Sequence, residues 1–76
     1  MRAYVLVKVA TGEEARVMEA LRGITSLEEI HFLFGEWDYI LSLEATDTQT
    51  LSRLISARIR RVPGVVQTTT LLEAPA

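Results

Sequence analysis

Phe34-Gly35-Glu36-Trp37-Asp38-Tyr39 links two apolar runs, Leu27–Phe34 and Trp37–Ala45, through a tight turn centred on Gly35-Glu36. Glycine at the first central position accepts the positive φ of a type II′ hairpin turn. With a two-residue turn, Phe34 pairs with Trp37, Leu33 with Asp38, Phe32 with Tyr39 and Ile30 with Leu41. Alternation then puts Phe32, Phe34, Trp37, Tyr39, Leu41 and Leu43 on one face of the hairpin. Glu29, His31, Leu33, Asp38, Ile40, Ser42 and Glu44 take the other. The first face is predicted to be core, and the second a surface with work to do.

Outward from the hairpin, Arg2–Ala10 predicts a strand, with Val5, Val7 and Val9 on one side and Tyr4 and Leu6 on the other. Apolar residues on both sides mark a central strand covered on both faces. Thr11 is a predicted cap for a helix over 12–22, and Glu14 completes a capping box. Val17, Ala20, Leu21 and Ile24 follow at helical spacing, and Gly23 ends the helix. A second helix spans 47–61, started by Thr46 with Gln49 or by Asp47 as a competing cap. Its stripe is Leu51, Leu54, Ile55, Ile59 and Val62, and Pro63-Gly64 stops it. The last strand is 65–73, with Glu-Ala-Pro-Ala as a frayed tail.

Strand–helix–strand–strand–helix–strand is the ferredoxin-like βαββαβ plan of the α+β class: a four-stranded antiparallel sheet with two helices on one face. Seventy-six residues make one domain, 1–76, and bury only roughly 60 % of the unfolded surface. Tyr4, Leu6, Leu33 and Ile40 would lie bare on the free sheet face, so a homodimer packed sheet on sheet is expected.

The composition excludes several classes. The net charge is −2, without a basic, aromatic-rich stretch, which argues against direct nucleic-acid binding. The aromatic pattern of an RNA-reading sheet is also missing. There is no cysteine, and one histidine with scattered acids makes no metal set. Lys8 interrupts any signal-peptide core and no stretch spans a bilayer, so a cytoplasmic protein with no membrane partner is expected.

The element order, Gly35-x-x-Asp38, Leu51…Leu54-Ile55 and Val62-Pro63-Gly64-Val65-x-x-Thr68-x-Thr70 together resemble the effector-binding and oligomerisation (RAM) domain of the Lrp/AsnC, or feast/famine, transcription regulators. The resemblance runs from about Tyr4 to Leu72. Members usually carry an N-terminal helix-turn-helix, absent from these residues, so a stand-alone RAM domain is expected. It implies a non-enzymatic module, without cofactor, that dimerises through its sheets and assembles into octamers or decamers. It further implies a small amino-acid ligand bound between dimers, and a full-length Lrp/AsnC regulator as a further partner by co-assembly. By position, Gly35, Glu36, Trp37 and Asp38 carry the ligand site, with Thr68 and Thr70 as additional members. Trp37 stands where the family usually has a smaller aromatic.

The chemistry is sound without the family: a carboxylate such as Asp38 binds an ammonium by a charge-assisted hydrogen bond. Backbone N–H groups at a tight turn, or threonine hydroxyls, suit a carboxylate. Plainer readings stand beside these. Asp38 could end the hairpin in solvent, and His31 fits a surface or interface histidine. Trp37 and Tyr39 fit core or interface aromatics, and Thr68-Thr69-Thr70 needs only β propensity. Arg53, Arg58, Arg60 and Arg61 fit a solvated helix edge. The alternative function is a small enzyme of the dimeric α+β barrel type, with His31 and Asp38 as acid and base.

Overall fold

Strand β1 (Arg2–Val9) is the centre of the computed structural model, which describes residues 1–75. Its neighbours are β3 (Tyr39–Glu44) and β4 (Val65–Leu72), both antiparallel, and β2 (Leu27–Phe32) pairs outside β3. The sheet order is β2-β3-β1-β4. Helix α1 (Glu14–Arg22) connects β1 to β2, and α2 (Thr48–Leu54) with a π-helical turn (Ile55–Ile59) connects β3 to β4. This is the ferredoxin-like plan expected from the order of elements.

The odd residues of β1, Ala3, Val5, Val7 and Val9, are buried together with Val17, Leu21, Tyr39, Leu41, Leu43, Leu51, Ile55 and Ile59. The valines therefore face the helices. Tyr4, Leu6, Ile40 and Leu71 belong to the opposite face, which neither helix covers; the first three are half-buried and Leu71 is exposed.

The hairpin shifts by one at Leu27↔Leu43 and keeps its predicted register from Glu29↔Ser42 to Phe32↔Tyr39. The strands stop there, short of 34 and 37, and Phe34 and Trp37 do not pair. One further bond closes the loop, from Leu33 N–H to the Asp38 carbonyl at 2.9 Å. The reason lies in β1. Asp38 N–H donates to the Val7 carbonyl at 2.9 Å, drawing this residue toward β1 while 33–37 leave the sheet. Gly35 has φ +116°, in the region open to glycine.

Phe32 and Phe34 were expected in the core with Tyr39, and this is corrected. Tyr39 is 1 % exposed, but Phe32 is 66 % and Phe34 fully exposed. Phe32 keeps a tilted contact with Tyr39, ring centroids 5.2 Å apart. Alternation placed it on the helix side correctly, but the edge strand extends past the helix cover there.

Helix boundaries differ for local reasons. Thr11 makes no cap: α1 starts at Glu14, with Glu13 at the cap position, and the Glu14 carboxylate accepts from Gly12 N–H at 2.9 Å. Asp47, not Thr46, caps α2, taking the Thr50 N–H at 2.7 Å; that bond holds its carboxyl below the usual range. The predicted stretch 47–61 ends in the π-turn, where Arg60 N–H reaches back five residues to the Ile55 carbonyl at 2.9 Å. Steps of four residues between Leu51, Ile55 and Ile59 slightly exceed the α-helical period, and a wider turn keeps all three buried. Glu73, expected in the frayed tail, is tied down: its N–H donates to the Arg2 carbonyl and its carboxylate accepts from Tyr4 Oη. The last tail residue, Ala76, lies outside the described residues.

Gly64 fixes the entry to β4. It has φ +101°, its carbonyl accepts from Ala10 N–H at 2.8 Å, and a Cβ there would sit 2.9 Å from both Glu13 Cβ and Val17 Cγ2 of the α1 region. Gly64→Ala combines a left-handed penalty with overpacking, so it should destabilise by about 2–4 kcal/mol in urea denaturation.

Candidate functional site

Two regions of the surface gather the residues singled out by sequence, and β1 stands between them. The first is a cleft of about 460 Å³ under the β2–β3 loop, lined by Glu14, Phe32, Leu33, Phe34, Asp38 and Tyr39. Glu14 and Asp38 give it two carboxylates, and three aromatic rings give it apolar walls. Cations suit both kinds of surface. No Lys or Arg lines this cleft.

Asp38 is held rather than solvated. Its Oδ2 accepts from Val9 N–H at 2.7 Å, beyond the last β1–β3 backbone pair. The side chain thus replaces a strand neighbour at the end of the ladder while Asp38 also lines the cleft. Tyr39 closes the floor, its hydroxyl donating to the Glu14 carbonyl at 2.9 Å. Burial first, then the charges of Asp38 and Glu14, raises the Tyr39 phenol above its ordinary value. Gly35 and Glu36 are exposed on the loop above, and Trp37 is half-buried. Glu14 was missed by sequence reading, where it served only as a helix-start residue. Nothing local marks it, because its position follows from α1 crossing over β3.

Thr68 and Thr70 do not join this cleft. Both lie on β4, opposite Val7 and Val5 across the far side of β1. Thr70 lines a groove of about 340 Å³ between α2 and β4, with Leu51, Ser52, Ile55 and Arg60 among its walls. Thr68 lines an adjoining cleft of about 320 Å³, again with Arg60. Thr68 Oγ1 accepts from Arg60 Nε at 3.1 Å, so Arg60 is fixed over the edge strand and is not simply a solvated helix residue.

His31 and Asp38 do not form an acid–base pair. His31 is paired with Ile40 on β2, is exposed, and has its Nε2 3.8 Å from Glu29. Among the described residues no cluster of three or more His, Cys, Asp or Glu is placed to hold a metal, and no helix is long and apolar enough to cross a membrane.

A four-stranded antiparallel sheet with one uncovered face, and with clefts beside α1 and α2 on the other, is of ferredoxin-like build. The chain belongs to the Lrp/AsnC ligand binding domain family, whose model matches residues 2–73. An uncharacterised HTH-type transcriptional regulator of Pyrococcus abyssi is 30 % identical over 59 residues, 78 % of this chain and 39 % of that protein. The chain thus spans less than half the length of the curated relatives it matches. The crystal structure of FFRP-DM1 superposes with a TM-score of 0.88 at 30 % identity, over 96 % of this chain and 97 % of that one. A Neisseria meningitidis transcriptional regulator solved as an L-Met complex shares the fold, with a TM-score of 0.79 at 22 % identity over 95 % of this chain and 49 % of that one.

Two outcomes test the geometry. Asp38→Ala strands the Val9 N–H and should cost about 1–3 kcal/mol, whereas Asp38→Asn keeps an acceptor and should cost less than half of that by urea denaturation. Tyr39 titrates only from above its unfolded value of about 10, so its contribution is full below that pH and fades as pH rises toward the raised folded value. In Tyr39→Phe, stability measured at pH 9 should drop by about 0.5–1.5 kcal/mol, and the further loss between pH 10 and 11 should shrink.

Proposed function

We propose that this domain senses a small amino acid as a homo-oligomer and exerts its effect on transcription without catalysis. The observation that carries the reading is the cleft under the β2–β3 loop, where Glu14 and Asp38 face three aromatic rings. An ammonium meets the carboxylates, and the ligand's side chain meets Phe32, Phe34 and Tyr39. The N–H groups around Gly35, Glu36 and Trp37 receive the carboxylate. Thr68 and Thr70 serve this ligand only from a neighbouring copy, whose β4 side is brought against the loop. The L-Met complex of the Neisseria meningitidis regulator supports an amino acid as the ligand class.

Oligomerisation follows from uncovered apolar area. Tyr4, Leu6, Ile40 and Leu71 lie on the free face, and a second copy packed sheet on sheet buries them. Exposed Phe34 at the loop tip suits contacts between dimers, as in an octamer or decamer. The domain works in the cytoplasm, through co-assembly with a full-length regulator of the same family.

Thermal shift across the twenty amino acids, with light scattering for mass, tests this reading. One or a few ligands at about 100 times their Kd should add roughly 2.7 kcal/mol, a rise of at least several degrees, and Asp38→Asn should abolish it. No shift with any amino acid, or a shift unchanged in Asp38→Asn, rejects the reading.

A further inference from the structure

The groove between α2 and β4 is built with the opposite charge sense from the loop cleft. Thr48, Ser52, Ser56 and Arg60 line it at steps of four residues, and Leu51, Ile55 and Leu72 supply apolar surface. A regular α-helix turns 100° per residue, so a row at steps of four drifts about 40° per step. The π-turn at Ile55–Ile59 winds more slowly and rotates the row back, returning Arg60 to the wall that holds the hydroxyls. Arg60 Nε is fixed by Thr68 Oγ1 at 3.1 Å. Among the described residues no acidic side chain pairs with its guanidinium, and Arg60 lines both this groove and the adjoining cleft. Neither of those clefts has an Asp or Glu in its lining, so an ammonium entering there meets no counter-charge.

We propose that the α2–β4 groove is a second ligand site, which takes a short aliphatic monocarboxylate lacking an ammonium group, of the 2-oxo acid type. The carboxylate pairs with the Arg60 Nη atoms, a planar fork suited to two oxygens. Ser52, Ser56 and Thr70 hydroxyls donate to the oxo group, and the aliphatic chain lies on Leu51, Ile55 and Leu72. Within one copy the groove shares no lining residue with the loop cleft; Thr70 is the one groove residue that the amino-acid reading also uses, and there it comes from a neighbouring copy.

The test uses 4-methyl-2-oxopentanoate and leucine, which share a carbon skeleton and differ in the ketone or ammonium at C2. Titration calorimetry and ¹H–¹⁵N spectra are recorded on the wild-type chain, Arg60→Gln, Arg60→Lys and Asp38→Asn. The oxo acid should bind and shift amides of Ser52–Arg60 and Thr68–Leu72, with leucine at least tenfold weaker at Ser52–Arg60. Arg60→Gln should weaken the oxo acid at least tenfold, Arg60→Lys should restore part of it, and Asp38→Asn should leave it within twofold. Spectra of the unliganded variants verify that they fold. The proposal is overturned by no binding at millimolar oxo acid, by binding indifferent to Arg60→Gln, or by leucine shifting the Ser52–Arg60 amides equally. Loss of the leucine response in Asp38→Asn with the oxo acid unaffected separates the two sites, whichever of them fails.

Discussion

The two-sided pairing of β1 is the constraint on which the other elements depend. Val5 stands opposite Leu41 on one side and Thr70 on the other, and Val7 opposite Tyr39 and Thr68. Because side chains alternate strictly, these rows fix the parity of all four strands. A one-residue slip of β1 would carry Lys8 into the core and the valines to the free face. The helices enforce the observed choice by burying the odd residues, and the even ones are left to form the uncovered surface. Sheet register and the presence of an apolar free face are thus one fact, not two.

At one end of β1 that pairing is completed by a side chain. The Asp38 carboxylate takes the Val9 N–H where no β3 carbonyl is available, so the chain can leave the sheet at Leu33–Trp37 without stranding a strand donor. The exposed Phe34 and half-buried Trp37 are consequences of this departure. Asp38 consequently has a structural duty that a binding role must share: its Oδ2 serves β1, and the residue also lines the cleft. A charge-assisted bond to backbone favours the ionised form, which is also the form an ammonium needs.

Much of this was legible in the residues themselves. The alternation in Tyr4–Val9, the stripe Leu51, Ile55, Ile59 and Val62, and the Pro63-Gly64 stop define the order of elements, and the pairing Phe32–Tyr39 defines the hairpin. What could not be read was coverage. Alternation assigns Phe32 to the helix side but is silent on whether α1 extends over that corner, and it does not. The Thr11 box failed because Glu14 itself bonds back to Gly12, starting the helix later. Glu14 in the loop cleft and Arg60 over Thr68 were invisible, because both depend on where a crossover helix lands on a strand distant in sequence or reached around a turn.

The same crossovers sort the charges of the surface. Helix α1 delivers a carboxylate to the corner where Asp38 ends its ladder, whereas the π-turn after α2 delivers a guanidinium to β4. The strands carrying these corners flank β1, two strand spacings apart, or about 10 Å. Exposed charges farther apart than the screening length of roughly 8 Å at physiological ionic strength are largely screened from one another. A formal net charge of −2 averages over this separation. A domain too small for a deep pocket thus carries shallow clefts on both sides of its central strand, with Glu14 and Asp38 lining one and Arg60 the other.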